Sequence, residues 1–320
     1  MNASHLIRKL ALSVLLVMPL EAWAAPKVVT SIRPVQALVY AVMGEIGAPE
    51  VLLEPGVSPH AFALKPSQAQ LLQDADIIFW IGPSLEVALE GPLETLGTAA
   101  RQVRLIDAPG LDLLPYRQAD DDHEAGTDAQ HGHDHGPMDP HVWLSPKNAI
   151  VMIDAIQAEL SALSPGTASL YAKNAAVAKK RLELLIKKMD AYLSHTRGVP
   201  YMVQHDGFGY VARDFAMNEI GHLQTLPGRE PGAKHVAQIR DAIAKQGVVC
   251  LFTEPQFTPA LAQRLKDETG VRLGQLDPMG GGLDLSPTLH VRIIQQLVLA
   301  MDQCLYTRPP ETPVDTPTQQ

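Results

Sequence analysis

Between Asp120 and His141 the chain reads DDDHEAGTDAQHGHDHGPMDPH. His123, His131, His133, His135 and His141 lie there among Asp120, Asp121, Asp122, Glu124, Asp128, Asp134 and Asp139. Imidazole nitrogen is a good ligand for zinc, copper, nickel and iron, and carboxylates add oxygen donors. The segment has almost no apolar side chains, so it has nothing with which to build a core. Metal binding is the chemistry this composition offers. The alternative is a solvated acidic loop whose histidines have no role.

Three histidines share a second kind of setting. His60 lies in GVSPHAFALKPS, His141 in MDPHVWLSP and His205 in MVQHDGFGY, each flanked by Pro, Gly or Asp. Each falls in a loop next to an expected strand or helix end, and open α/β sheets gather their ligands at the carboxyl ends of strands. Asp277, in GQLDPMGG, follows another expected strand. If the two halves of the chain face each other, His60 and His141 come from one half and His205 from the other. Three imidazoles plus one oxygen suit tetrahedral Zn²⁺, whether as a bound cargo or as a catalytic ion with an open position. A hydrolase reading lacks an H-E-x-x-H motif and a general base beside these ligands. Glu254, in FTEPQF, is the one acidic residue in a suggestive motif, and a structural role is expected for it. His195, His222, His235 and His290 have no such context and are read as exposed or ordinarily packed. Trp80 and Trp143 are read as core residues near the cleft.

The elements that must position these groups alternate between strand and helix. Lys27 to Ile32 (KVVTSI), Val51 to Leu53 and Ile77 to Ile81 (IIFWI) read as strands. Pro34 to Met43, Pro66 to Asp74 and Lys147 to Leu163 read as helices, with Pro34 and Pro146 well placed in first turns. A second series follows: strands at Tyr201–Gln204, Val248–Thr253 and Val271–Leu276, with helices at His235–Gln246, Pro259–Gly270 and Thr288–Tyr306. This rhythm implies βαβ units and parallel sheets. Between the two series, Gly166 to His195 has apolar positions Leu182, Leu185, Met189 and Tyr192 or Leu193 at helical spacing. One helix of ~28 residues would be about 42 Å long, which suits a rigid connector between two lobes.

The chain has 320 residues, 46% of them apolar, enough for two domains of ordinary size. Arg8 and Lys9, the apolar run Leu10–Leu20 and Ala22-Trp23-Ala24 read as a cleavable export signal. Removing residues 1–24 takes Arg8, Lys9 and Glu21 and moves the formal charge from −9 to −10. So acidic a product is expected to avoid nucleic acid and anionic lipid and to attract cations. No cysteine lies near the cleavage site, so no lipid anchor is expected, and the natural destination is a bacterial periplasm. Cys250 and Cys304 are a disulfide candidate in such an oxidising space, with two buried thiols as the alternative. Closing a loop of roughly 55 residues would contribute on the order of 4 kcal/mol.

Taken together, GVSPHAFALKPS, DADIIFWIGPSLE, DPHVWLSP, QHDGFGYVARDF, CLFTEPQFTPAL and Leu276-Asp277-Pro278 resemble the periplasmic zinc-binding receptors of ABC-type zinc importers. This is the ZnuA type of the metal-binding solute-receptor family, and the likeness runs from about Lys27 to Cys304. It implies an α/β fold of two similar Rossmann-like lobes joined by a long rigid α-helix, with the metal in the interlobe cleft. The corresponding divisions are a signal peptide at 1–24, an N-terminal lobe at 25–165, a linker helix at 166–196, a C-terminal lobe at 197–306 and a disordered tail at 307–320. It also implies that His60, His141 and His205 are zinc ligands. Asp277 matches a carboxylate that binds metal in manganese relatives and lies near the site in zinc ones. Manganese relatives carry Glu at the place of His205, and softer nitrogen favours zinc. Some zinc receptors have a Glu before the first His, where this chain has Pro59, so the fourth position stands between Asp277 and a water. Cys250 and Cys304 match a disulfide of the zinc branch. The His/Asp-rich loop 119–137 matches a variable loop beside the cleft, which makes His123, His131, His133 and His135 accessory zinc ligands. The implied function is non-catalytic: capture of Zn²⁺ and delivery to an inner-membrane ABC permease, by a monomer that a periplasmic zinc chaperone could serve.

Overall fold

The computed structural model describes residues 25–54, 56–117, 138–224 and 231–306. The expected signal segment 1–24, the loop histidines His123, His131, His133 and His135, and the tail 307–320 lie outside the described residues.

The first lobe is built from β1 (Val28–Thr30), α1 (Arg33–Met43), β2 (Glu50–Val51), α2 (Pro66–Asp74), β3 (Ile77–Trp80), α3 (Glu90–Thr95), β4 (Arg101–Arg104) and α4 (Pro146–Leu163). The long helix α5 (Ala168–Tyr192) follows. The second lobe holds β5 (Tyr201–His205), α6 (Gly209–Asp214), β6 (Glu219–Gln224), α7 (Ala233–Gln246), β7 (Cys250–Thr253), α8 (Ala260–Thr269), β8 (Arg272–Gln275) and α9 (Leu289–Leu305).

Both sheets are parallel and share one strand order, β2-β1-β3-β4 in the first lobe and β6-β5-β7-β8 in the second. Strands β1, β3, β5 and β7 are buried at every position; β3 is apolar throughout, and the others carry their polar residues, Thr30, Gln204, His205 and Thr253, at the carboxyl ends. That is the pattern of sheets covered on both faces. The edge strands β4 (RQVR) and β6 (EIGHLQ) and the short helices α3 and α6 carry no unbroken apolar run and add to the elements expected from sequence.

Helix α4 starts where the sequence places it. Pro146 takes the first helical position, and the Ser145 hydroxyl caps the helix by accepting the Asn148 N–H at 3.0 Å. Helix α5 has 25 residues, about 38 Å. It buries Tyr171, Ala175, Ala178, Leu182, Leu185 and Met189 against α1, α4 and α9. Single 3₁₀ turns at Pro165–Thr167 and Leu193–His195 flank it, so the expected helix is α-helical only in its interior. Tightening of the last turn is usual where helix ends run out of i→i−4 partners.

The Cys250–Cys304 disulfide, with Cα atoms 6.0 Å apart, ties β7 to α9. Helix α9 also packs on α1 and α5, so it joins the lobes on one side. One hydrophobic core runs from Val28 through both lobes to Leu305, and a smaller one under the second sheet includes Met202, Leu223, Ile239, Leu251 and Leu265. Across the cleft, Trp143 Nε1 donates to the Pro278 carbonyl at 3.1 Å and Arg33 donates to the Leu283 carbonyl.

Candidate metal centre

The three histidines converge from separate elements. His60 follows Pro59 in the turn beyond β2, after Leu52 and Leu53 have extended the pairing to the Thr30 and Ser31 carbonyls. His141 follows Pro140 and leads into a 3₁₀ turn at Val142–Leu144. His205 ends β5. Their Nε2 atoms face one another: His60 to His141 at 3.1 Å and His205 to His141 at 3.2 Å. All three offer a ligand atom within 4.8 Å of the others, and they form the one such group of three among the described residues. Zinc bound tetrahedrally at ~2.05 Å holds neighbouring ligand nitrogens about 3.3 Å apart. The observed spacing is therefore that of ligands around one ion.

The outward nitrogens explain why the inward ones are lone pairs. His141 Nδ1 lies 2.7 Å from Asp139 Oδ1, which also accepts the His141 backbone N–H at 2.9 Å. His205 Nδ1 lies 2.5 Å from Glu254 Oε1. An ionised carboxylate only accepts, so each Nδ1 carries the proton and each Nε2 presents a lone pair. Lone pairs facing at 3.2 Å repel unless a cation sits between them. Carboxylate–histidine pairs of this kind fix the tautomer and orientation of metal ligands. A dication, three neutral imidazoles, Asp139 and Glu254 sum to zero charge in a site that is nearly dry. His141, His205, Asp139 and Glu254 are all 5% exposed or less.

Burial dominates the proton affinities here. It pushes the Asp139 carboxyl up to about 7, against the pull of the His141 N–H, Arg117 and His205. It raises Glu254 as well, with His205 pulling the other way. For His205 burial opposes the charged form, but the adjacent Glu254 prevails and its pKa stands above the ordinary histidine value. A bound cation favours ionised carboxylates and deprotonated Nε2.

Gly207 closes another side of the site. A Cβ there would lie 2.5 Å from His205 Nε2 and 3.2 Å from His141 Nε2, too close for the rings to keep their places. Sequence reasoning missed this glycine, although HDG at a strand end is a signal of close backbone approach. The cavity lined by His60, His141, Trp143, His205, Phe257 and Met279 is about 10 Å³. That is about the space of a single water, so it suits a lone ion and not an organic substrate.

Asp277 is placed differently. Its Oδ1 accepts the N–H groups of Met279 and Gly280 and the Gln256 side-chain amide, and its Oδ2 accepts the Gly281 N–H. It organises its own turn and stands outside the group of three histidines. Of the histidines set aside from sequence, His195 bonds Asp302 at 2.9 Å. His290 is buried against the Trp143 carbonyl, with its pKa lowered to about 4 by burial. Trp80 and Trp143 are both buried, as expected.

Two parallel-sheet lobes of one topology, a long connecting helix and a tri-histidine group between the lobes are the architecture of a metal-binding solute receptor. The chain belongs to the family described as ZnuA, zinc-uptake complex component A periplasmic, which it matches over residues 28–304. It is 34% identical over 304 residues to the high-affinity zinc uptake system protein ZnuA of Brucella abortus, covering 87% of this chain and 91% of that protein. The protein of the same name from Yersinia pestis is 34% identical over 307 residues, covering 92% and 96%. Among solved structures, the periplasmic zinc-binding protein TroA of Treponema pallidum superposes with a TM-score of 0.75 at 21% identity, covering 88% of this chain and 99% of that one. A crystal structure of ZnuA gives 0.72 at 23% identity, covering 87% and 99%. These likenesses bear out the two-lobed fold expected from sequence.

Proposed function

We propose that this chain is the periplasmic receptor of an ABC-type zinc importer: it captures Zn²⁺ and delivers it to an inner-membrane permease. It acts by binding, as its family of solute receptors does, and not by catalysis. The observation that carries the reading is the convergence of the His60, His141 and His205 Nε2 atoms, two of them backed by buried carboxylates. Three nitrogen donors favour zinc over manganese. In this reading a water fills the fourth position, because backbone N–H groups already engage both Asp277 oxygens. Residues 1–24 direct export and are removed, the loop 119–137 collects zinc as an accessory, and the receptor works as a monomer that a zinc chaperone can load. Among the described residues no helix is long and apolar enough to cross a membrane.

Calorimetric titration of the apo protein with Zn²⁺ at neutral pH tests this. One tight site is expected, and it should vanish when His60, His141 and His205 are replaced together by Ala. A tight site that survives the triple replacement would remove these residues from the role.

A further inference from the structure

One ion-pair cluster lies outside the ligand set yet touches it from both lobes. Arg117 belongs to the first lobe, three residues beyond Leu114, where the chain pairs with the segment leading to His141. Asp139 donates its N–H to the Leu114 carbonyl at 2.8 Å, and Pro115 and Met138 form an antiparallel bridge. From this base Arg117 reaches across the cleft. Its Nε and Nη2 both bond Asp206 Oδ1, the former at 2.7 Å, and Nη2 also bonds Glu219 Oε1 at 2.5 Å. Asp206 directly follows His205, and Glu219 starts β6, which pairs with the His205 strand. The two carboxylate side chains are 3% and 1% exposed. Arg117 is the one polar partner found for Glu219 among the described residues, and the other oxygen of Glu219 is buried without one. Tyr210 adds a neutral contact beside it: its hydroxyl accepts the Leu114 N–H and donates to the Asp139 carbonyl.

We infer that Arg117 is an interlobe clasp that sets the rate of zinc release: it supplies, from the first lobe, the cation that two buried carboxylates behind His205 require. When the lobes separate, Asp206 and Glu219 lose their shared partner, and an unpaired buried charge is the costly state of such a pair. The Arg117 side chain is itself 42% exposed, but its carboxylate partners are not, so the clasp acts on departure of the ion more than on its capture, as is usual when a buried charge loses its hydrogen-bonded partner. It is a positioning residue and touches no ion. The same backbone that carries Arg117 is bonded to Asp139, which orients His141, so closure is felt at ligands from both lobes.

The inference rests on the zinc reading, and the test separates the two. Zinc release from the full mature chain is followed by stopped-flow mixing with a fluorescent zinc chelator. Wild-type protein that holds no zinc would overturn the zinc reading and the clasp with it, before any variant is made. With zinc bound, Arg117→Met should release it at least about tenfold faster, the association rate changing less. Arg117→Lys should fall between, because an ammonium lacks the fork that spans two carboxylates. Arg117→Met combined with Glu219→Gln removes the unpaired charge at Glu219, leaving that of Asp206, and should recover part of the lost melting temperature while release stays fast. Release at the wild-type rate in Arg117→Met, or restored to it in the double variant, would overturn the clasp: Arg117 would then only balance the charge of Glu219.

Discussion

Replacing Glu254 by Gln probes the site without touching an ion ligand. Glu254 is 2% exposed and its Oε1 lies 2.5 Å from His205 Nδ1. The amide oxygen can still accept that proton, so the tautomer and the ring position are retained. What disappears is the negative charge that raises the basicity of Nε2 and offsets one positive charge of the ion. Outer carboxylates on metal-binding histidines typically contribute 10- to 100-fold in affinity, about 1.4 to 2.8 kcal/mol. Glu254→Gln should therefore weaken zinc binding by about 10- to 100-fold with little change in the melting curve of the apo protein. Calorimetry in competition with a chelator of known affinity measures the first, and circular dichroism the second. A second signature is independent: Glu254 is what holds the His205 pKa above its ordinary value against burial. In the variant the His205 titration, followed by NMR of its ring protons, should move down. Affinity within about twofold of wild type together with an unmoved His205 titration would refute the carboxylate–histidine argument.

Three further outcomes follow from the same geometry. Gly207→Ala places a Cβ 2.5 Å from His205 Nε2, so zinc binding should weaken at least about tenfold while far-UV circular dichroism stays that of the wild type. Zinc affinity should fall as pH falls, starting above the ordinary histidine range because the apo His205 pKa is raised, and each competing proton steepens the loss by about tenfold per pH unit; calorimetric titrations between pH 8 and pH 5 check it. The sign for the apo fold is opposite: a raised folded pKa stabilises below the unfolded value, and that contribution is lost as pH rises through the folded one. Replacing Cys250 and Cys304 together by Ser opens a loop spanning 54 positions and should destabilise the fold by ~4 kcal/mol. Its melting midpoint should drop by on the order of 10 °C.

The parts of this protein legible in sequence are those where one local signal suffices. Ile77–Trp80 announces itself as a buried strand because every side chain is apolar, and Ser145-Pro146 announces the start of α4 through cap and first-turn chemistry. Strands β4 and β6 give no local signal because polar residues such as Arg101, Gln102, His222 and Gln224 interrupt any apolar run. The three histidines could be picked out by their Pro, Gly and Asp neighbours, yet spacing left their meeting open, since it depends on how two lobes close. Long-range pairs lie beyond local pattern altogether. Glu254 is 49 positions from His205, and Arg117 is 89 from Asp206, so neither partnership has a sequence signature. Asp277 shows the reverse: a carboxylate after a strand resembles a ligand, but the Pro-Met-Gly-Gly turn behind it supplies N–H groups that claim its oxygens.

The central claim is that one zinc ion sits where His60, His141 and His205 converge. Diffraction from zinc-loaded crystals, collected on both sides of the zinc absorption edge, tests it most directly. The account predicts one strong anomalous peak between the lobes, about 2.0–2.1 Å from all three Nε2 atoms, with a water as the fourth ligand. A principal peak on Asp277 without these histidines, or at a place that leaves any of the three unbound, would contradict it.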